Sequence, residues 1–194
     1  AAYAALRFEG DALPPIMALE VARRGGIDNA RSIYCGTFSK VLSPGLRVGW
    51  IVAPQAMIRR LVLVKQASDL NNSTINQMVM HRLAETAYDA QVERARAHYR
   101  RRRDAMLAAL ETHMPEGVTW TRPGGGLFVW LRLPDRMDGA SLLDRAVKEA
   151  GVAFVPGAAF FHDDRGRNTL RLSYSLATEA EIAEGTARLA KLLT

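Results

Sequence analysis

Only one cysteine occurs among the 194 residues, so no disulfide can close within the chain. A reducing compartment, the cytoplasm, is therefore the expectation. No apolar run approaches the roughly 20 residues that a membrane-spanning helix needs. No charged-then-apolar leader opens the sequence, and a membrane partner is not expected. Internal repeats and low-complexity tracts are missing too, which excludes a repeat architecture. Lysine is scarce, with four (Lys40, Lys65, Lys148, Lys191) beside 22 arginines. An initiator methionine is also lacking. Ala1-Ala2-Tyr3-Ala4-Ala5-Leu6 starts like the end of a strand, so a piece of a longer protein is expected.

What is present suits a packed α/β protein. Hydrophobic residues make up 48% of the chain and charged residues 24%, with a net charge of +6. The densest basic cluster is Arg94, Arg96, Arg100, Arg101, Arg102 and Arg103. At about 100° per residue these point to several sides of a helix and form no single stripe. Glu93 and Asp104 dilute them further, so a solvated helix is expected and no nucleic-acid partner.

Strand and helix signals interleave. Strands are expected at residues 3–8, Arg31–Gly36, Val48–Ala53, Val118–Thr121, Leu127–Leu133, Val152–Phe154 and Thr169–Ser175. Helices are expected at 16–24, 55–69, 74–86, 88–113, 140–150 and 178–193. On the second of these, Met57, Leu61, Val64 and Ala67 are the candidates for a buried face. Asn71-Asn72-Ser73 reads as a break followed by a helix cap. Cys35 reads as a small core residue of its strand. The pattern changes after the long helix, which places a domain boundary near residue 87 and a second sheet layer beyond it.

Lys40 is the most informative residue. It sits in Gly36-Thr37-Phe38-Ser39-Lys40-Val41-Leu42-Ser43-Pro44-Gly45-Leu46-Arg47-Val48-Gly49-Trp50, between a strand-like run and a Ser-Pro-Gly turn. A solvated surface charge explains that position poorly. An amine kept in a partly desolvated pocket, able to attack a carbonyl, explains it better. Thr37, Ser39 and Arg47 carry the hydroxyls and the guanidinium that a phosphate dianion needs. In Leu170-Arg171-Leu172-Ser173-Tyr174-Ser175 the residues alternate by twos. This puts Leu170, Leu172 and Tyr174 on one face and Arg171, Ser173 and Ser175 on the other. Other candidates are weaker. Gly124-Gly125-Gly126 lacks the Gly-Lys-Ser/Thr of a phosphate loop and reads as a tight turn. His162-Asp163-Asp164 has metal-ligand types but reads as a surface loop, and no metal site is expected.

The lysine segment resembles fold-type I, pyridoxal phosphate-dependent aminotransferases of class I/II, and most of all the branch of the 2-aminoadipate and kynurenine aminotransferases. Arg122-Pro123-Gly124-Gly125-Gly126-Leu127-Phe128-Val129-Trp130, Phe154-Val155-Pro156-Gly157 and Asn168-Thr169-Leu170-Arg171-Leu172-Ser173-Tyr174-Ser175 carry the same resemblance, in the family's order. It implies that residues 1–87 are the C-terminal part of the large cofactor-binding domain and 88–194 a smaller α/β C-terminal domain. It implies pyridoxal 5'-phosphate as cofactor, held by Lys40 as a Schiff base. Lys40 would then move the substrate's α-proton. Thr37, Ser39 and Arg47 would hold the phosphate, and Tyr3 would hydrogen-bond the cofactor's phenolic oxygen. Arg171 would grip the substrate's α-carboxylate.

An amino acid and a 2-oxo acid would be the substrates, and a homodimer the full-length assembly. A complete enzyme of this family is about twice as long, so the chain alone is expected to be weakly active or inactive. The competing reading is the effector domain of a bacterial transcription regulator, which resembles the same family.

Overall fold

The computed structural model describes residues 2–163 and 165–193, so Asp164 of the His162-Asp163-Asp164 loop lies outside the described residues. The chain divides into two compact units, Ala1–Ala95 and Arg96–Thr194. The division falls inside the longest helix.

In the first unit, α1 (Ile16–Arg24) begins behind Pro15 and ends at Gly25. Gly25 takes the left-handed conformation, φ 76°, and donates its N–H to the Val21 carbonyl. A residue without a side chain enters that region at no steric cost. Glu20 of α1 accepts from both the Ser32 N–H (2.9 Å) and the Ser32 hydroxyl (2.7 Å). The hydroxyl bond, then the backbone of Arg31, pulls the carboxyl down to about 2. This bond ties the helix to the segment that enters the first strand.

Strands β1 (Tyr34–Thr37) and β2 (Gly49–Val52) pair antiparallel, with Gly36 opposite Trp50 and Thr37 opposite Gly49. The lysine turn joins them as a hairpin would, with a longer loop. Two helices follow, α2 (Gln55–Ser68) and α3 (Thr74–His113).

Four expectations fail in this unit. Residues 3–8 do not make a strand; Ala4–Leu6 is a 3-10 turn, as suits an alanine-rich run with no β-branched residue. Cys35 is exposed rather than packed in a core. The expected face of α2 is not buried either: Met57, Val64 and Ala67 are exposed and Leu61 is only half-buried. Their periodicity is that of the helix observed, but burial needs an element to pack against, and periodicity cannot supply one. Finally, 74–86 and 88–113 are not two helices. Ala87-Tyr88-Asp89-Ala90 contains no glycine or proline to interrupt the hydrogen bonds, and α3 runs through.

In the second unit, β3 (Thr119–Trp120), β4 (Phe128–Arg132), β5 (Val155–Pro156) and β6 (Thr169–Ser173) form an antiparallel sheet in the order β3-β4-β6-β5. The alternation expected at 170–175 is the one observed. Leu170, Leu172 and Tyr174 are buried, while Ser173 is exposed and Arg171 half-buried. Val129 and Leu131 of β4 are fully buried as well. Each such side chain contributes about 1.5–3 kcal/mol of apolar burial.

Helix α4 (Gly139–Arg145) starts at Asp138, whose carboxylate accepts from the N–H groups of Ala140 and Ser141. It widens into a π turn over Ala146–Ala150. Helix α5 (Glu179–Ala190) opens on a capping box between Thr178 and Glu181 and buries Ile182, Thr186 and Leu189. The strand expected at Val152–Phe154 lies later, at Val155–Pro156, because its pairing with Arg171 and Leu170 sets the register. Among the described residues, no helix is long and apolar enough to cross a membrane.

Candidate active site

In the first unit the site is built on the β1–β2 turn. Phe38, directly after β1, donates its N–H to the Val48 carbonyl (3.2 Å), which closes the turn behind Thr37. Val41 and Leu42 both donate back to the Phe38 carbonyl, giving the 38–42 stretch a helix-like coil. Phe38 also packs against Trp50, ring centroids 4.6 Å apart, and meets Tyr88 edge-on at 6.5 Å. Trp50 lies across Gly36 so closely that a Cβ there would sit 2.2 Å from the indole. Glycine at position 36 is therefore a packing requirement.

On this frame the expected site residues come together in part. The Thr37 and Ser39 hydroxyls hydrogen-bond at 3.0 Å, and the Ser39 N–H donates to the Thr37 hydroxyl at 3.1 Å. Lys40 is half-buried. Its amine has no hydrogen bond or ion pair among the described residues and lies 5.7 Å from the centroid of the Tyr3 ring. Tyr3 itself is 37% exposed.

Arg47 takes a positive φ of 52°, an uncommon and mildly strained conformation for a side-chain-bearing residue. Its guanidinium donates to the Pro44 carbonyl at 3.1 Å and is otherwise exposed to solvent. Two side-chain contacts that the sequence does not announce hold this turn. The Asn76 amide donates to the Leu46 carbonyl (3.1 Å) and the Asn72 amide to the Arg47 carbonyl (3.4 Å). The cap expected at Asn71-Asn72-Ser73 is present, with Ser73 accepting from the Asn76 N–H. The asparagines' second task lies about 30 residues away in sequence and leaves no local signal.

The donor set fits a phosphate-bearing aldehyde. Two hydroxyls and a guanidinium suit a dianion, and an unpaired amine suits a carbonyl.

Arg171 lies in the second unit, in the middle of β6, opposite Trp130 on β4 and Val155 on β5. Its Nε is buried without a hydrogen-bond partner. The Pro123–Gly126 loop is pinned by Arg103, which donates to the Pro123 carbonyl at 2.9 Å, and by the Tyr174 hydroxyl, 3.4 Å from the Gly125 carbonyl. Burial pushes the Tyr174 phenol up to about 12.

The arginine cluster divides among separate partners. Arg94 donates to Gln91, Arg102 to the Ser175 carbonyl, and Arg101 pairs with Glu179. Asp163 is taken up by Arg165 at 2.9 Å. Among the described residues no group of His, Cys, Asp and Glu is placed to hold a metal ion.

Comparison with known proteins gives one answer. The model of the family described as aminotransferase class I and II matches residues 1–189. The 2-aminoadipate transaminase of Thermus thermophilus is 45% identical over 192 residues, 99% of this chain and 47% of that protein. Aromatic-amino-acid aminotransferase 1 of Thermococcus litoralis is 43% identical over 98% of this chain and 44% of its own length. The crystal structure of the α-aminoadipate aminotransferase LysN of Thermus thermophilus, complexed with N-(5'-phosphopyridoxyl)-L-leucine, superposes with a TM-score of 0.91 at 44% identity, over 100% of this chain and 48% of that one. More distant is a helix-turn-helix transcriptional regulator of Bacillus subtilis, 34% identical over 90% of this chain and 35% of its own length. The chain thus spans about half the length of the relatives it matches.

Proposed function

This chain belongs to the aminotransferase class I and II family, and we propose that it carries the lysine, the phosphate cradle and the carboxylate arginine of an enzyme that transfers the α-amino group of an amino acid to a 2-oxo acid. One observation carries the reading. The Lys40 amine, unpaired among the described residues, stands near Tyr3 and follows directly on the Thr37–Ser39 hydroxyl pair.

Pyridoxal 5'-phosphate, when bound, supplies an aldehyde that condenses with amines and a ring that draws electrons from the substrate's α-carbon. Thr37, Ser39 and Arg47 would hold its phosphate; Arg47 would contribute a charge that cannot be lost by deprotonation. Tyr3 would donate to its phenolic oxygen. Lys40 would anchor it, and its free amine would serve as the base and acid for the substrate's α-proton. Arg171 binds the α-carboxylate through its paired N–H edge and so orients the bond to be broken.

A homodimer in a reducing cytoplasm belongs to the same proposal. It is supported by the single cysteine and by the apolar surface left exposed on the first unit.

The regulator reading rests on the Bacillus subtilis relative and predicts ligand binding without turnover. Product analysis separates the two. The chain is joined to the segment that its relatives carry beyond this match, then supplied with pyridoxal 5'-phosphate, an amino acid and a 2-oxo acid. It should form a new amino acid and a new 2-oxo acid in equal amounts, and Lys40→Ala should abolish both. Ammonia or carbon dioxide in place of the paired products would assign elimination or decarboxylation. Binding without any product would favour the regulator.

A further inference from the structure

The surroundings of Arg171 are more elaborate than a carboxylate site requires. Its guanidinium carbon lies 3.9 Å from the centroid of the Phe128 ring and 4.7 Å from that of Phe160. The two rings come from different flanks of β6. Phe128 opens β4, and Phe160 ends the 3-10 turn Gly157–Phe160 that follows β5. Trp130, directly across from Arg171, backs Phe160 edge-on at 5.3 Å and Phe161 at 6.4 Å.

The segment bearing Phe160 is held by tight glycine packing. A Cβ on Gly157 would fall 1.8 Å from the Thr169 hydroxyl, and one on Gly166 would fall 2.4 Å from the Phe161 ring. The Thr169 hydroxyl, in turn, donates to the Gly166 carbonyl at 2.7 Å. Gly157, Gly166 and Thr169 therefore fix by close contact the segment that carries Phe160.

We propose that Phe128 and Phe160 are positioning residues that hold the Arg171 guanidinium by its faces and leave its N–H edge for an incoming carboxylate. This rests on the reading of Arg171 as the carboxylate-binding residue.

Aromatic faces attract the cation without consuming its in-plane donors. A salt-bridge partner would occupy those donors, and among the described residues Arg171 has none. The stack also accounts for the buried, unbonded Nε. Its desolvation is offset by ring contact, because a guanidinium is weakly hydrated and stacks well. Two rings that fix the plane before binding reduce the rotamer entropy lost when the acid docks.

The test is an NMR titration of the arginine Nε–Hε resonances of the 194-residue chain with 2-oxoglutarate. Wild type is compared with Phe128→Leu, Phe160→Leu and Phe160→Tyr. Leucine keeps apolar bulk, whereas tyrosine keeps a ring face. Phe160 is 47% exposed, so its replacement spares the fold. The expected result is an Arg171 resonance that responds to the acid in wild type, a binding midpoint raised about tenfold in each leucine variant, and recovery in Phe160→Tyr. An Arg171 midpoint unchanged in the leucine variants would overturn the positioning role while leaving Arg171 as the carboxylate site. An Arg171 resonance that 2-oxoglutarate never moves in wild type would instead overturn the carboxylate reading and the positioning role together.

Discussion

At the scale of single residues, the lysine turn is shaped by an aromatic side chain lying over a glycine. Trp50 occupies the space a side chain at position 36 would need, and Phe38 packs on Trp50 in turn. A methyl group at 36 has to push the indole away, and the displacement passes through Phe38 to the turn that carries Ser39 and Lys40. Gly36→Ala should therefore lower stability by about 1–3 kcal/mol, read as a shift in a denaturant midpoint. It should also slow cofactor capture at Lys40. An unchanged midpoint would show that Trp50 has room to move.

The residues around Lys40 are legible in the sequence because they are contiguous: hydroxyls, lysine and arginine stand within one short segment. Asn72 and Asn76 are not, since hydrogen bonds to carbonyls at 46 and 47 exist only once the chain folds back. Phe160 is hidden for the same reason. Its ring meets Arg171 through sheet pairing, and nothing in Ala158-Ala159-Phe160-Phe161 announces that contact.

Elements follow their own rules, and their ends show where local chemistry decides. Helix α5 begins where Thr178 and Glu181 satisfy each other's backbone N–H groups. A capping hydroxyl is typically worth about 1 kcal/mol, so Thr178→Ala should lower the unfolding free energy of the second unit by about that amount. Thr178→Ser should restore most of it. Equal stability of wild type and Thr178→Ala would mean that packing of Ile182 and Leu189 alone fixes the helix start.

Alternation and caps of this kind make β4, β6 and α5 readable from the residues alone. Strand β5 is not, because two paired residues carry too little pattern to show their own register. The stretches on either side of residue 87 read as two helices, yet no residue there can stop a helix. The apolar side chains of α2 have helical spacing, but spacing is silent on whether a neighbour covers them, and none of them is buried.

For the molecule as a whole, coverage and surface agree. The second unit buries Val129, Leu131, Leu170 and Leu172 of its sheet, together with Tyr174. The first leaves Ile16, Leu19, Ile51, Leu63, Ile75 and Met78 exposed. Apolar exposure on that scale marks a surface made for contact. It accords with a chain that spans about half the length of its relatives.

The central claim is that Lys40 is the residue that takes the cofactor, and the scarcity of lysine makes it testable with little ambiguity. The purified chain is mixed with pyridoxal 5'-phosphate, reduced with borohydride, digested and mapped across its four lysines. The account predicts a reduced adduct on Lys40, far above any at Lys65, Lys148 or Lys191, and its loss in Lys40→Ala. An adduct spread over the exposed lysines, with none at Lys40, would contradict it.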